Sequence, residues 1–202
     1  ATCPQTRRAV EDTARLLESL GHTVEEARID LPARFVEDFL LYWAMLGFLV
    51  SKGGKALFPQ GFDATQLDPL TRGLADYYQS RFLKTPGMLR QLRLSRLRYA
   101  ETFQQYDVIL SPVLAHTTPQ IGHLGADLPF DTQLERLLRY TTFTPANNAS
   151  GGPGISLPLG QTDQGLPIGV QLSAAHGEEA LLLALAFELE EAQPFQCLGG
   201  VH

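Results

Sequence analysis

Two segments near the ends of the chain show apolar residues at three-to-four spacing, which is typical of amphipathic helices. Pro4 suits a first helical position and Gly21 suits a helix stop. The inward face between them consists of Ala9, Val10, Thr13, Leu16, Leu17 and Leu20. Residues 178–192 repeat the pattern, with an apolar face made of Leu181, Leu182, Leu185 and Leu189. The pattern therefore predicts a helix at each end of the chain.

Further helices are predicted between them. One extends from Pro32 to about Val50, and its uncharged run over residues 39–50 is too short to span a bilayer, so we expect a buried helix. The pairs Asp68-Pro69 and Thr85-Pro86 each combine a capping residue with a first-turn proline. They predict helices ending near Arg81 and Gln105, and a further helix is predicted over residues 131–140. Residues 51–62 are Gly-rich and polar, which predicts a loop.

Short apolar runs predict four strands. Residues 107–112 form a run too short for a helix, and residues 155–159 and 167–172 lie on either side of a turn. Residues 22–29 follow the first helix and predict a fourth strand, whereas residues 116–128 are irregular. Because helices and strands alternate along the chain, the predicted fold class is α/β.

Composition limits the classes of partner and the compartment. The 202 residues include 44% hydrophobic residues, enough for one domain with a core, and 16 basic against 22 acidic residues give a net charge of −6. This balance argues against nucleic acid or an anionic membrane as the main partner. Cys3 and Cys197 permit one disulfide, but two cysteines favour a reducing compartment. With no secretory signal pattern in the sequence, we expect a cytoplasmic location.

One predicted helix carries clustered arginines. Arg90, Arg93 and Arg96 share a face opposite three leucines, Leu89, Leu92 and Leu97. A solvated charged face is the favoured interpretation, and an interface or an anion site is the alternative.

Candidate catalytic motifs are incomplete. Ser150-Gly151-Gly152 resembles a nucleophile on a tight turn, but Asn148 stands where a nucleophile elbow needs glycine. The glycines are better explained by the backbone angles of a turn. Gly53-Gly54-Lys55 lacks the first glycine and the hydroxyl residue of a phosphate loop. The five histidines are scattered, so no metal site and no cofactor are expected.

Four blocks of sequence nevertheless resemble the amidase signature family. Residues 148–160 read NASGGPGISLPLG and residues 165–172 read GLPIGVQL, which is similar to the family's carboxy-terminal block. The block continues into the acidic start of the last predicted helix, EEALL. Upstream, residues 106–112 (YDVILSP) and 16–24 (LLESLGHTV) are similar to two further family segments, in the family's order. The resemblance extends over nearly the whole chain, and residues 148–172 are its most specific part.

The resemblance implies a fold and a chemistry. Family members hydrolyse carbon–nitrogen bonds of amides with a Ser nucleophile, a second Ser at a cis peptide bond and a Lys base, all upstream of the LLESLGHTV-like segment. Residues 1–202 would then form the carboxy-terminal segment of a single amidase signature domain, part of a mixed sheet with surrounding helices. The sequence has no Gly-Gly-Ser-Ser-Gly run, so no catalytic residue is assigned and the chain alone is expected to be inactive.

By the same resemblance, part of the substrate pocket falls in this chain. Thr117, in the loop after the YDVILSP segment, and Asn148 are expected to line the pocket, together with Ser150, Gly151 and Gly152. The alternative for the first two residues is that they only satisfy backbone groups of loops. The sequence departs from the family at Asn147, where an aromatic residue is common, at Gly152, where glutamine is usual, and at Gly154, where alanine is usual.

Two other functions stay open. The A subunit of a tRNA-dependent amidotransferase shares these blocks, although the net charge favours a general amidase acting on a small-molecule amide. A non-catalytic interaction module is the second alternative. Part of a larger sheet would leave strand edges and apolar faces uncovered, the helix over residues 39–50 among them. We therefore expect self-association or pairing with an amino-terminal half.

Overall fold

The computed structural model describes residues 2–195 and confirms the α/β class. Its helices and strands follow the sequence pattern closely, and three short apolar runs form the strands. The helices are α1 (Pro4–Ser19), α2 (Phe35–Leu57), α3 (Pro69–Gln79), α4 (Thr85–Thr102), α5 (Phe130–Tyr140), α6 (Pro145–Ser150) and α7 (Glu179–Ala192). The strands are β1 (Val108–Pro112), β2 (Gly154–Gln161) and β3 (Pro167–Ala174).

The chain divides into two compact units. The first comprises Ala1–Asp30, Arg96–Pro119 and Arg139–His202 and contains the sheet. The second comprises Leu31–Ser95 and Gln120–Leu138 and is helical. The assignment of the whole chain to one amidase signature domain stays a prediction.

The sheet of the first unit is antiparallel, in the order β1-β3-β2. Strand β3 is central, and Gln171 lies opposite both Ser111 and Ser156. The register of β2 shifts between Leu157 and Gly160, where Pro158 supplies no N–H to a ladder. Within residues 2–195, β1 and β2 each keep one edge that pairs with no strand.

The two faces of β3 differ in chemistry. Val170, Leu172 and Ala174 are fully buried on one face, and Gln171 and Ser173 are buried on the other because side chains alternate along a strand. The apolar face packs against the inward faces of α1 and α7. The core consists of Ala9, Leu17, Leu157, Leu159, Ile168, Val170, Leu172, Ala174, Leu182, Leu185, Ala186 and Leu189.

A separate core holds the second unit together. It joins α2, α3 and α5 through four buried residues, Leu40, Ala44, Leu74 and Leu134. Gly47 allows the close approach of α2 and α3, since a Cβ there would lie 3.1 Å from the Cβ of Leu74.

Two predicted elements were wrong. Residues 22–29 form no strand: only Val24 packs against the core, and the charged neighbours remain exposed, so the segment has neither an apolar face nor an adjacent strand to pair with. Residues 51–62 are not a loop throughout, because α2 continues to Leu57. Gly54 is buried against the ring of Phe62, which would have to move to admit a Cβ at this position, so packing accompanies a helix with weak local propensity.

The apolar run over residues 39–50 is only partly covered. Leu40, Leu41, Ala44 and Gly47 are buried, whereas Leu46 and Leu49 are exposed. No helix among residues 2–195 is long and apolar enough to cross a membrane. Cys197, the possible partner of Cys3, lies outside the described residues.

Candidate functional site

A buried polar cluster occupies the face of the sheet opposite the apolar core. Its centre is Asn147 on α6, whose Oδ1 accepts hydrogen bonds from the Tyr99 hydroxyl (3.1 Å), Gln171 Nε2 (3.2 Å) and the Ser173 hydroxyl (3.2 Å). Asn147 Nδ2 lies 3.0 Å from Ser173 Oγ and donates to the Pro153 carbonyl at 3.3 Å. The cluster therefore connects α4, α6, β3 and the segment leading into β2.

The partners of Asn147 are buried, whereas Asn147 itself is half-buried. Tyr99, Gln171 and Ser173 are all buried, and burial raises the pKa of Tyr99 although the hydrogen bond with Ser173 opposes the shift. At neutral pH the phenol is thus a neutral donor, as the contact with Asn147 Oδ1 requires. Such a network is stable only while its polar atoms remain paired.

The turn that follows Asn147 confirms the structural interpretation of the Ser-Gly-Gly motif. Ser150 ends α6, and Gly151 caps it in the left-handed region with φ of 73°. The buried Ser150 hydroxyl donates to the Asn147 carbonyl at 3.2 Å and accepts from the Gly152 N–H at 3.3 Å. Asn148 is exposed on the same turn. Ser150 is therefore engaged in a helix cap.

Thr117 belongs to a different feature of the same unit, a cavity of about 160 Å³. Hydroxyl groups and one imidazole supply its polar lining: Thr6, Thr117, Thr118, Tyr140, Ser156 and His116. The remaining lining residues are Val113, Leu114, Pro167, Ile168 and Gly169. Among the described residues that line it, no Asp, Glu, Lys or Arg is present, so the cavity suits an uncharged group.

Aromatic stacking shapes one wall of this cavity. The rings of His116 and Tyr140 stack with centroids 4.5 Å apart, and His116 Nδ1 lies 2.9 Å from the Thr117 carbonyl oxygen. Burial raises the pKa of Tyr140, opposed by a hydrogen bond with Thr118. The wall therefore presents the neutral hydroxyl of Tyr140 beside two stacked rings.

Cys3 lies beside this wall at the N-terminus of α1. Its Sγ is 3.2 Å from Thr6 Oγ1, and its backbone N–H donates to the Ala115 carbonyl. Partial burial raises the pKa of the Cys3 thiol, but hydrogen bonds from Thr6, Thr117 and Gln5 outweigh it, and the net pKa is lowered. Over residues 2–195, no three His, Cys, Asp or Glu residues form a group that could hold a metal ion.

The structure thus separates the predicted pocket residues into two groups. Asn148 and residues 150–152 share one turn, whereas Thr117 lines the cavity and the turn residues do not. Their pocket role stays a prediction. Sequence reasoning missed the polar cluster, and the only signal for it was Asn147 at a position where the family favours an aromatic residue.

Comparison with known sequences gives the family. An amidase family model matches residues 2–183. A Mycobacterium tuberculosis protein named amidase AmiC is 45% identical over 193 residues, which are 95% of this chain and 41% of that protein. The 6-aminohexanoate-cyclic-dimer hydrolase of a Pseudomonas species is 32% identical over 95% of this chain and 41% of its own length. The A subunit of the Bdellovibrio bacteriovorus glutamyl-tRNA(Gln) amidotransferase is 31% identical over 94% of this chain and 42% of its own length.

Solved structures agree with this result. A 6-aminohexanoate cyclic dimer hydrolase in complex with its substrate matches with a TM-score of 0.82 and 25% identity, over 96% of this chain and 42% of that one. A bacterial aryl acylamidase of the amidase signature family matches in fold, with a TM-score of 0.74 and 19% identity. The match covers 96% of this chain and 41% of that one. The chain spans about two-fifths of the length of these relatives. Because the amidase family model matches residues 2–183, which are most of this chain, the chain belongs to the amidase family.

Proposed function

We propose that this chain is the carboxy-terminal part of an amidase that hydrolyses carbon–nitrogen bonds of amides. The observation that carries the proposal is the alignment with the Mycobacterium tuberculosis relative, which covers 95% of this chain but only 41% of that protein. The Ser, cis-Ser and Lys of the intact enzyme would lie in the preceding three-fifths. There the Ser would form an acyl-enzyme that water then hydrolyses.

The described residues support an inactive isolated chain. Acyl transfer needs a nucleophile with a base in hydrogen-bond reach. The Ser150 hydroxyl is committed to the end of α6, and the lining of the cavity near Ser156 includes no lysine among the described residues.

In this proposal the chain contributes substrate-binding surface. Thr117 would line the pocket through the cavity described above, and Asn148 with residues 150–152 would form a second part of its wall. The cavity has hydroxyl and aromatic groups, which suits a small uncharged amide. No cofactor is required for this chemistry, and neither nucleic acid nor a membrane is needed as a partner. A cytoplasmic location belongs to the same proposal.

The partner that completes the enzyme would be the amino-terminal amidase segment, in the same chain or in trans. The unpaired edge of β1 supports this part of the proposal, because a larger sheet would continue there. The exposed Leu46 and Leu49 of α2 are consistent with a further element packing on that helix.

The test compares the chain alone with the chain supplied with an amino-terminal segment. The 202-residue protein is assayed on benzamide and hexanamide, and then mixed or fused with the amino-terminal part of the Mycobacterium tuberculosis relative. We expect turnover only in the second case. Turnover by the chain alone that disappears in Ser150→Ala would contradict the proposal.

The pocket is tested in the active, completed enzyme. Thr117→Phe fills the cavity and is expected to raise KM at least about tenfold, since a bulky ring displaces a small ligand. The matched control is Thr23→Phe, at an exposed threonine outside the cavity lining. An equal KM in both variants would exclude Thr117 from the pocket.

The amidotransferase A subunit remains a second candidate because one relative with 31% identity has that name. The two functions separate in one comparison: a general amidase turns over simple amides without tRNA. Activity restricted to misacylated tRNA would establish the second candidate.

A further inference from the structure

The outer face of α4 combines arginine with exposed leucine. Arg90, Arg93, Leu94 and Leu97 follow one another at three- and four-residue steps, so they form a single stripe along the helix, with Leu89 and Arg96 beside it. The leucines are 38–57% exposed, and all three arginines are exposed. The arginines lie on a solvated face as predicted, but the prediction that Leu89 and Leu97 lie on the opposite face was wrong, because both leucines are exposed beside the arginines.

These arginines are available for another molecule. Arg98, further along α4, pairs with Asp30 at 3.4 Å. Within residues 2–195, Arg90, Arg93 and Arg96 form no ion pair. The segment from Arg81 to Arg98 holds six basic residues and no acidic one, in a chain whose net charge is −6. A basic and apolar surface on an acidic protein fits an acidic, partly apolar partner.

The chain itself contains a surface of that description, on α7. This helix has four glutamates and no basic residue. Its outward stripe places Leu183 (53% exposed) and Phe187 (69% exposed) between Glu179 at one end and Glu190 and Glu191 at the other. In the described part of the chain, these three glutamates form no ion pair.

The two stripes differ in length by an amount that their side chains can bridge. At a rise of about 1.5 Å per residue, Arg90 and Arg96 are about 9 Å apart, and Glu179 and Glu190 are about 16 Å apart. The difference of about 4 Å at each end is within the reach of extended Arg and Glu side chains. Side-by-side packing would therefore place leucines against Leu183 and Phe187 while the charges meet at both ends.

We propose that α4 of one copy of this chain docks against α7 of a second copy, with Arg90, Arg93 and Arg96 facing Glu179, Glu190 and Glu191. Leu89, Leu94 and Leu97 then pack against Leu183 and Phe187, which removes apolar surface from water on both copies. The inference specifies the self-association expected from the sequence. It does not depend on the proposed amidase activity, because its readout is mass rather than turnover.

Sedimentation velocity and light scattering test the proposal on the full chain. We expect a concentration-dependent oligomer at about 0.05 M salt that weakens at about 0.5 M salt, where charges are screened beyond a few ångströms. Arg90→Glu/Arg93→Glu and Glu190→Lys/Glu191→Lys are each expected to weaken association at least about tenfold. The matched control, Arg7→Glu/Arg28→Glu, changes the charge equally at exposed positions and should associate like the natural sequence.

A mixing experiment is the decisive step. The two double variants, each weakly associating alone, present an acidic α4 and a basic α7, so their mixture should recover association. Recovery also shows that both variants are folded. A monomer at every salt concentration, association unaffected by either double variant, or no recovery in the mixture would overturn the proposal. Loss of binding to phosphatidylserine vesicles in Arg90→Glu/Arg93→Glu, with unchanged self-association, would overturn it in favour of a lipid surface.

Discussion

Replacing Asn147 with alanine tests the role of the buried polar cluster. The substitution removes five hydrogen-bond contacts, to Tyr99, Gln171, Ser173 and the Pro153 carbonyl. Gln171 and Ser173 retain their mutual contact at 3.2 Å, and the Pro153 carbonyl still accepts from the Ala174 N–H at 3.3 Å, so the group most dependent on the Asn147 acceptor is the Tyr99 hydroxyl. Leaving a buried polar group unsatisfied costs about 1–3 kcal/mol. We expect Asn147→Ala to lower the free energy of unfolding by about 1–3 kcal/mol.

The neighbouring asparagine provides the control. Asn148 is exposed, so Asn148→Ala removes the same side-chain chemistry from the same helix and should change the free energy of unfolding by less than about 0.5 kcal/mol. Urea unfolding followed by circular dichroism gives both values. Hydrogen exchange at the amides of β3 shows whether the loss is local to the cluster.

A double-mutant cycle with Tyr99→Phe isolates the central contact. In the natural sequence this substitution removes a hydroxyl that donates to Asn147 Oδ1, whereas in Asn147→Ala it removes one that has lost that acceptor. The cost of Tyr99→Phe should therefore fall by about 1–2 kcal/mol in the Asn147→Ala background. Equal costs in the two backgrounds, or equal effects of Asn147→Ala and Asn148→Ala, would refute the reasoning.

Three further predictions concern stability. The buried carboxyl of Asp38 has an Oδ2 with no partner, and burial raises the pKa of this carboxyl. The proton that it holds in the folded state stabilises the protein at low pH, and this stability is lost as the pH rises through the folded-state pKa. Asp38→Asn should therefore increase the free energy of unfolding by about 1 kcal/mol at pH 7 and by almost nothing near pH 4, as measured by urea titration. Gly160→Ala would place a methyl against Ala9 and should cost about 1–3 kcal/mol, whereas the absence of any shift in thermal midpoint would show that α1 yields freely. Leu189→Ala, at a fully buried position, should cost about 2–5 kcal/mol, while Leu57→Ala, at an exposed one, should leave the denaturation midpoint nearly unchanged.

Local sequence signals were sufficient to predict the elements whose ends are fixed by neighbouring residues. Pro4, Pro69 and Pro86 each mark the first turn of a helix that the structure contains, and the Asp68 side chain accepts from the N–H groups of Leu70 and Thr71 as its capping role requires. The hairpin of β2 and β3 follows from two apolar runs around a turn that ends at Gly165.

The wrong predictions concern segments whose structure depends on contacts beyond neighbouring residues in the sequence. Near the end of α2 the ring of Phe62 covers Gly54, a contact that no local pattern of glycines reveals. The segment around Val24 has β-forming residues, but a strand also needs a neighbour, and the sequence does not say whether one is available.

The candidate site was predictable only in part. The glycine at 151 was correctly interpreted as a turn because its left-handed φ is a local requirement. The cluster around Asn147 joins residues 48 positions apart in the case of Tyr99 and 24 in the case of Gln171, and a single sequence does not reveal such pairings.

The proline in β2 affects which edge of the sheet can pair with a further strand. Pro158 sits in the middle of an edge strand where the register slips, so that border offers an interrupted ladder to any approaching chain. The far border, along β1, has an unbroken register with β3 from Val108 to Pro112. We therefore expect strand addition to be directional, with a further strand pairing beside β1 rather than beside β2.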